Sequence, residues 1–473
     1  MGSGGTAHRL LGRKEPVDTL LGPFRRFARF EAAGGVLLLV ASVVALIWAN
    51  SGHAQSYTDL WEHTTFTLKL GGFEPMGEHP TLVYWINDLL MAVFFLLVGM
   101  EIKREVLVGE LSTLRRAALP IVAALGGMVG PAVIYAIVNH HPSGSPHGWG
   151  VPMATDIAFA LAFISVLGRR VPLGLRVFLA SLAIADDLGA LLVIAIFYTE
   201  DLNFSALGMA GGVCAVLALM NLMGFRRPLA YGLVGLFLWY FIFHSGIHAT
   251  IAGVLLALAI PARAKVDGNE FVVVTRAMNA EFERAGVRGD TIITNAEQQA
   301  AVQVMEDACD KVQTPLGQLE HALLPWVTFL IIPIFALANA GVAFAGGGEP
   351  AFETRITLGV ALGLLLGKPI GITLFSFVAV KLKFGELPTG VTWRHIHGAS
   401  WLGGIGFTMA LFIAQLAFEG NAQHLAEAKV GILCASAVAA LVGLAILWGA
   451  KSPVDPEKDI HPGRESGREP TPA

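Results

Sequence analysis

Along most of this chain apolar residues come in runs of about twenty with almost no charge, and such runs leave few options for folding. A run of that length crosses the hydrocarbon of a bilayer as a helix. Lipid offers no hydrogen bonds, so each backbone N–H and C=O must be paired within the segment. Candidate spans are 32–50, 82–101, 117–138, 151–168, 174–198, 204–223, 228–243, 245–260, 322–342, 356–380, 398–418 and 427–449. That is about twelve, with 228–243 and 245–260 joined tightly at His244. Only 14% of the residues are charged, against roughly a quarter in soluble proteins. An all-α polytopic membrane protein follows, with one integral domain and short loops.

Loop charge tests the count independently, because Lys and Arg favour the cytoplasmic side of a span. Basic clusters occur at 9–29, at Lys103, Arg104, Arg115 and Arg116, and at Arg169, Arg170 and Arg176. Others follow at Arg226 and Arg227, Arg263 and Lys265, Lys381, Lys383 and Arg394, and Lys451. The loops between them, 51–81, 139–150, 199–203, 343–355 and 419–426, hold only Lys69 and Arg355. This alternation agrees with about twelve spans and places both termini in the cytoplasm.

The expected organisation has five parts. Residues 1–30 form a basic cytoplasmic arm with no cleavage site. Transmembrane helices 1–8 lie in 31–260 and helices 9–12 in 321–450. Between them, 261–320 is a polar cytoplasmic connector. There Ala300, Val304, Ala308 and Val312 recur at helical spacing among charged residues, as in an amphipathic helix. Its acids Glu306, Asp307 and Asp310 read as a solvated face. The tail 451–473 is rich in Pro, Gly and charge and is expected to be disordered. The net charge of −4 gives no reason to expect a nucleic-acid partner. Cys214 and Cys434 fall inside spans and read as buried apolar residues, with no disulfide or CxxC motif.

Charges at bilayer depth are costly, about 2.5–3.5 kcal/mol for an Asp at a span's centre on insertion scales. Asp186 and Asp187 stand side by side in the middle of 174–198. Adjacent helical positions point about 100° apart, so one carboxylate can face an ion cavity while the other meets a base. Two neighbouring buried carboxylates cannot both ionise cheaply, so such a pair can exchange a proton for a cation. The bland alternative is a structural salt bridge. Asp156, after Thr155, and Lys368 are two further ionisable groups inside spans. Lys368 is the one base deep in a span and the natural counter-ion for one of the acids.

Two spans look interrupted. Gly403-Gly404-Ile405-Gly406 favours unwound backbone in 398–418, although close helix packing would also use small residues. Pro152 and Thr155-Asp156 mark a weaker interruption in 151–168. Non-helical backbone at this depth survives only where it is buried or lines a cavity. Half-helix ends carry about half a charge, which Asp156 and Lys368 are suited to offset.

Taken in order, several motifs resemble the NhaA family of bacterial sodium/proton antiporters along nearly the whole chain. They are Ile86-Asn87-Asp88, Phe94 to Glu105 (FFLLVGMEIKRE), Ala154 to Ala160 (ATDIAFA) and Ala183 to Gly189 (AIADDLG). His248 to Gly253 (HATIAG), Leu337 to Val342 (LANAGV), Gly367 to Gly371 (GKPIG) and Gly404 to Met409 (GIGFTM) complete the set. The resemblance implies a fold of two inverted repeats, 117–198 and 356–449, crossing at two broken helices, a device NhaA shares with other transporters. It implies electrogenic exchange of sodium or lithium for a larger number of protons, with no cofactor and no enzymatic activity. Asp187 and Asp186 would hold the ion and proton, Lys368 would pair with Asp186 without sodium, and Thr155 and Asp156 would lie at the crossing. Glu101, Arg104, Glu105, His248, Glu320 and His321 match pH-response positions. A homodimer in the bacterial inner membrane, serving sodium and pH homeostasis, is also implied. One departure is Leu324, where family members often carry a second histidine; a solvated charged rim is the bland reading of that cluster.

Other classes fit less well. A different proton-coupled transporter could use the same acids, but no mid-span Arg marks a larger substrate cavity. An intramembrane enzyme lacks HExxH, and His244-Ser245-Gly246 has no supporting motif. A channel would need a filter or ring motif.

Overall fold

The computed structural model describes residues 33–67, 80–142, 144–199, 202–286, 295–342 and 354–450. The expected arm, the tail and Lys69 lie outside them. Among the described residues the chain is helical, apart from one isolated antiparallel bridge between Thr65 and Thr81. In chain order the helices used below are α1 (Ala33–Ala49), α2 (Met91–Val108), α3 (Leu114–Val138), α4 (Ile157–Val166) and α5 (Leu173–Phe197). Then come α6 (Phe204–Leu222), α7 (Pro228–Phe243), α8 (Thr250–Ala259), α9 (Gly268–Ala285), α10 (Ala296–Val312) and α11 (Pro315–Trp326). The last are α12 (Ile332–Asn339), α13 (Arg355–Leu362), α14 (Lys368–Lys381), α15 (Trp393–Gly403), α16 (Phe407–Ala417) and α17 (Ala422–Trp448).

Among the described residues, eight helical segments are long and apolar enough to cross a membrane, and the bent pair α15–α16 makes a ninth. Three apolar helices, α1, α7 and α8, are shorter. The expected count of about twelve is reached only if these three also cross. The span expected at 245–260 is helical only from Thr250, and the one expected at 322–342 starts earlier, at Pro315.

The chain divides into two compact units. One comprises 1–57, 114–190 and 336–473; the other comprises 58–113 and 191–335. In the first, two triads share one plan: a long span, a broken span and a long span. The first triad is α3, the pair Pro146–Met153 and α4, then α5. The second is α13–α14, α15–α16, then α17.

Antiparallel packing of α3 on α14 inverts one triad relative to the other. Gly126 meets Gly371, Gly130 meets Gly367, and Tyr135 meets Gly359 as the chain runs the other way. This contact is backbone on backbone. A methyl at Gly371 would stand 2.0 Å from the Gly126 carbonyl oxygen, and one at Gly126 2.3 Å from that of Gly371. Only glycine permits such an approach, which is how membrane helices gain packing without a hydrophobic drive.

In the second unit, α2 and α8 pack side by side and parallel. Gly253 lies against Ala92 and Leu96, and Gly99 against Val254 and Ala257. The connector folds as a hairpin of two helices, α9 and α10, where one amphipathic helix was expected. Asn295 Nδ2 donates to the Ala285 carbonyl at 2.7 Å, and Gln298 Nε2 to that of Phe282 at 3.1 Å. Its buried stripe is Gln298, Ala301 and Ala308, so Ala300 and Val304, expected inside, are exposed. The cysteine reading also needs correcting. Cys434 is exposed and Cys214 half-exposed on their spans, so their apolar surroundings would be lipid rather than protein.

Candidate ion-binding site

Both interrupted spans break at the same place. After the turn Pro146–Met153, residues 154–156 are extended and α4 begins at Ile157. In the other, α15 ends at Gly403 and α16 starts at Phe407. The two breaks are stitched together: Asp156 N–H donates to the Ile405 carbonyl at 2.7 Å, and Thr155 Oγ1 to that of Gly403 at 2.9 Å. The glycines of the second break do not adopt left-handed backbone. Their role is space: a methyl on Gly404 would stand 2.7 Å from the Leu364 carbonyl oxygen. Close approach and interruption, set apart as alternatives in the sequence, hold together here.

Asp156 is buried at this crossing and serves both half-helices. Its carboxylate accepts from Phe159 N–H at 3.0 Å in the first turn of α4, where it is the N-cap. It also accepts from Thr408 N–H at 3.0 Å and from the Thr408 hydroxyl, in the first turn of α16. One negative charge thus faces two positive helix ends, where backbone N–H groups lack helical partners.

Lys368 is the complement. It is fully buried at the start of α14, directly after a single π-helical turn, Gly363–Gly367. Such turns recur at functional sites because they re-aim side chains. Its ammonium donates to Asp186 Oδ2 at 2.5 Å and to Thr155 Oγ1 at 2.7 Å. Since the Thr155 hydroxyl donates onward to Gly403, the positive charge is relayed to the carbonyl end of α15. Asp186 and Asp187 are each 1% exposed in the middle of α5. One ammonium therefore stands among two buried carboxyls. A pair of opposite charges is tolerable at this depth; a second negative charge calls for a proton or a cation.

All five residues expected at the ion site therefore gather in one unit, and Thr408 joins them. Sequence reading placed Thr408 in a matching motif without giving it a task. The signal was available, since a hydroxyl in the first turn of a half-helix at bilayer depth needs a partner. Among the described residues no group of three or more His, Cys, Asp or Glu side chains forms a metal cluster.

The six pH-response candidates separate. Glu101, Arg104 and Glu105 sit on α2, and Glu320 and His321 on α11. An Arg104–Glu320 ion pair joins these helices, with the Glu320 side chain 12% exposed. His248 precedes α8 at the other end of the α2–α8 pair, roughly 20 Å from Glu101 by helix rise. Leu324 is 42% exposed on α11.

Residues 25–447 match the family model described as "Na+/H+ antiporter 1". A protein of Oleidesulfovibrio alaskensis named Na(+)/H(+) antiporter NhaA is 49% identical, covering 94% of this chain and 97% of its own length. Proteins of the same name from Acidithiobacillus ferrooxidans and Helicobacter pylori are 48% and 43% identical, covering 91% and 92% of this chain and 97% of each relative.

Proposed function

The chain belongs to the Na+/H+ antiporter 1 family, and we propose that it exchanges sodium or lithium for a larger number of protons through Asp186, Asp187 and Lys368. It is a sodium/proton antiporter of the bacterial inner membrane and not an enzyme. The observation that carries the finer reading is the buried Lys368–Asp186 bond with Asp187 next along the helix.

The exchange follows from charge balance. Without sodium, Lys368 neutralises Asp186, and a proton on Asp187 neutralises the remaining carboxyl. A sodium ion entering between the carboxylates competes with both. It replaces the Asp187 proton and displaces the ammonium from Asp186, and the buried base left without its anion sheds its own proton. Two protons leave for one cation, so the cycle carries net charge. Lithium has the same charge in a smaller shell and fits the same oxygens. Asp156 stays in place, holding the half-helix ends around which the crossing moves.

Rising acidity returns protons to these groups in competition with sodium, which makes activity pH-dependent at the site itself. Glu101, Arg104, Glu105, Glu320 and His321 supply a second charged station on α2 and α11. We read the working unit as a homodimer with both termini in the cytoplasm, as the family resemblance implies.

The test is sodium-, lithium- and potassium-driven dequenching of a pH dye in proteoliposomes, with and without a membrane-potential clamp. Sodium and lithium should drive proton movement, potassium should not, and collapsing the potential should raise the rate. A rate indifferent to potential removes the unequal stoichiometry.

A further inference from the structure

Two half-helices of the crossing have their outer ends at one place. α4 runs outward from Asp156 to Val166, and the turn Gly168–Arg170 follows it. α15 runs inward from Trp393 to Gly403, so its outer end carries Arg394. By helix rise both ends lie roughly 15 Å from the crossing. There they meet the end of α17. The Arg170 guanidinium carbon stands 4.0 Å from the centre of the Trp448 ring, within cation–π range. Arg394 reaches the next residue, since a methyl on Gly449 would stand 2.6 Å from Arg394 Nη2. All of these residues belong to the first unit.

Neither arginine is neutralised by the protein. Both are exposed, and among the described residues neither has a carboxylate within ion-pair distance. Arg115, by contrast, is paired with Glu386. A guanidinium beside the last turn of α17 offsets the carbonyls of that helix end, which accounts for part of Arg394. Yet Arg394 also stands in the first turn of α15, where the helix end is itself positive. Arg170 has only the face of a ring. Two planar guanidinium forks at one helix end match the oxygens of a phosphate.

The surroundings say whose phosphate it is. Trp448 is 61% exposed, and Ala445, Leu441 and Val438 continue its exposed face along α17. An apolar stripe running away from two cations suits an acyl chain below a headgroup, and free phosphate has no use for it. Tryptophan belongs at the membrane–water boundary. Loop charge assigns this end to the cytoplasmic side, where the leaflet is anionic.

We propose that Arg170, Arg394 and Trp448 bind the phosphate of an anionic phospholipid, whose chain lies along Ala445, Leu441 and Val438. The headgroup supplies the negative charge that the protein does not. It also ties the outer ends of α4 and α15 to α17, and so braces the two half-helices that meet at Asp156.

The experiment uses the whole chain in phosphatidylcholine vesicles doped with a minor fraction of lipid brominated high on its acyl chains. The dopant is either phosphatidylglycerol or phosphatidylcholine. Bromine quenches tryptophan at contact, and subtracting the emission of Trp448→Phe isolates the signal of Trp448. Phosphatidylglycerol should quench Trp448 at about a fivefold lower fraction than phosphatidylcholine, the preference that one arginine near an anionic lipid supports. Arg170→Gln with Arg394→Gln should make the two lipids equal, while Arg115→Gln should leave the preference in place. Added inorganic phosphate should not abolish it. Equal quenching in the unaltered chain, or an equal loss in Arg115→Gln, overturns the site in favour of general surface charge. Loss of the preference to inorganic phosphate assigns the arginines to the free ion and overturns the lipid. A preference that appears only after removal of residues 452–473 overturns it as well, because carboxylates of the tail then hold the arginines.

Discussion

The Lys368 ammonium lies 2.5 Å from Asp186 Oδ2, with both side chains essentially removed from solvent. Neither charge is tolerable there alone, and each is the reason the other is present. Breaking a buried pair by removing one partner costs about 3–5 kcal/mol, because the remaining charge is stranded. Lys368→Ala should therefore lower the melting temperature in detergent well beyond the effect of a surface substitution. Removing Asp186 as well should recover part of that loss, since no buried charge is then left unmatched. An unchanged melting temperature for Lys368→Ala would mean that the pair is not formed in the membrane.

Thr155 connects this pair to the crossing, accepting from Lys368 and donating to the Gly403 carbonyl. Thr155→Val keeps the volume and removes both bonds. It leaves a buried carbonyl without its donor, a loss of about 1–3 kcal/mol. Both stability and exchange rate should fall, while Thr155→Ser should retain most of each. Equal behaviour of Val and Ser at this position would rule out the hydroxyl relay.

The contact between Gly126 and Gly371 allows a test of the inverted packing that does not touch the ion site. Gly371→Ala places a methyl within 2.0 Å of backbone that cannot step aside. Overpacking of this kind costs about 1–3 kcal/mol and sometimes more. Thermal stability should drop, and α3 and α14 should be forced apart. Gly208→Ala, on α6 with nothing within 4 Å of the added methyl, is the control and should be neutral.

How much of this was legible in the sequence depends on what each feature responds to. The apolar runs, Asp186-Asp187, Asp156 and Lys368 could be read directly, because a charge among lipid-compatible residues is anomalous on its face. The glycine-rich break was readable for the same reason. The connector was not. Its helices are amphipathic, and an amphipathic stripe can slide by one position without altering the composition, so Ala301 is buried where Ala300 was expected. That α9 would pair with α10 is a long-range fact with no local marker. Cys434 misled because a small apolar residue in a span faces protein or lipid with equal ease. The distance between His248 and Glu101 also depends on packing alone, since α8 happens to run parallel to α2.

The acidic pair itself gives the sharpest division. Asp186 is held by Lys368, so Asp186→Asn should affect stability and exchange together. Asp187 adds a second carboxyl beside the single ammonium, so Asp187→Asn replaces an ionisable group with a permanently neutral one of the same shape. Insertion and melting temperature should be close to those of the unaltered chain, because a neutral amide is no harder to bury than a protonated acid. Sodium-driven proton movement should be abolished, as an amide can neither release a proton nor bring a negative charge to the cation. Sodium should also cease to raise the melting temperature, since a ligand stabilises only a form that binds it. Normal exchange by Asp187→Asn would show that the cation is carried elsewhere, whatever the structure at the crossing.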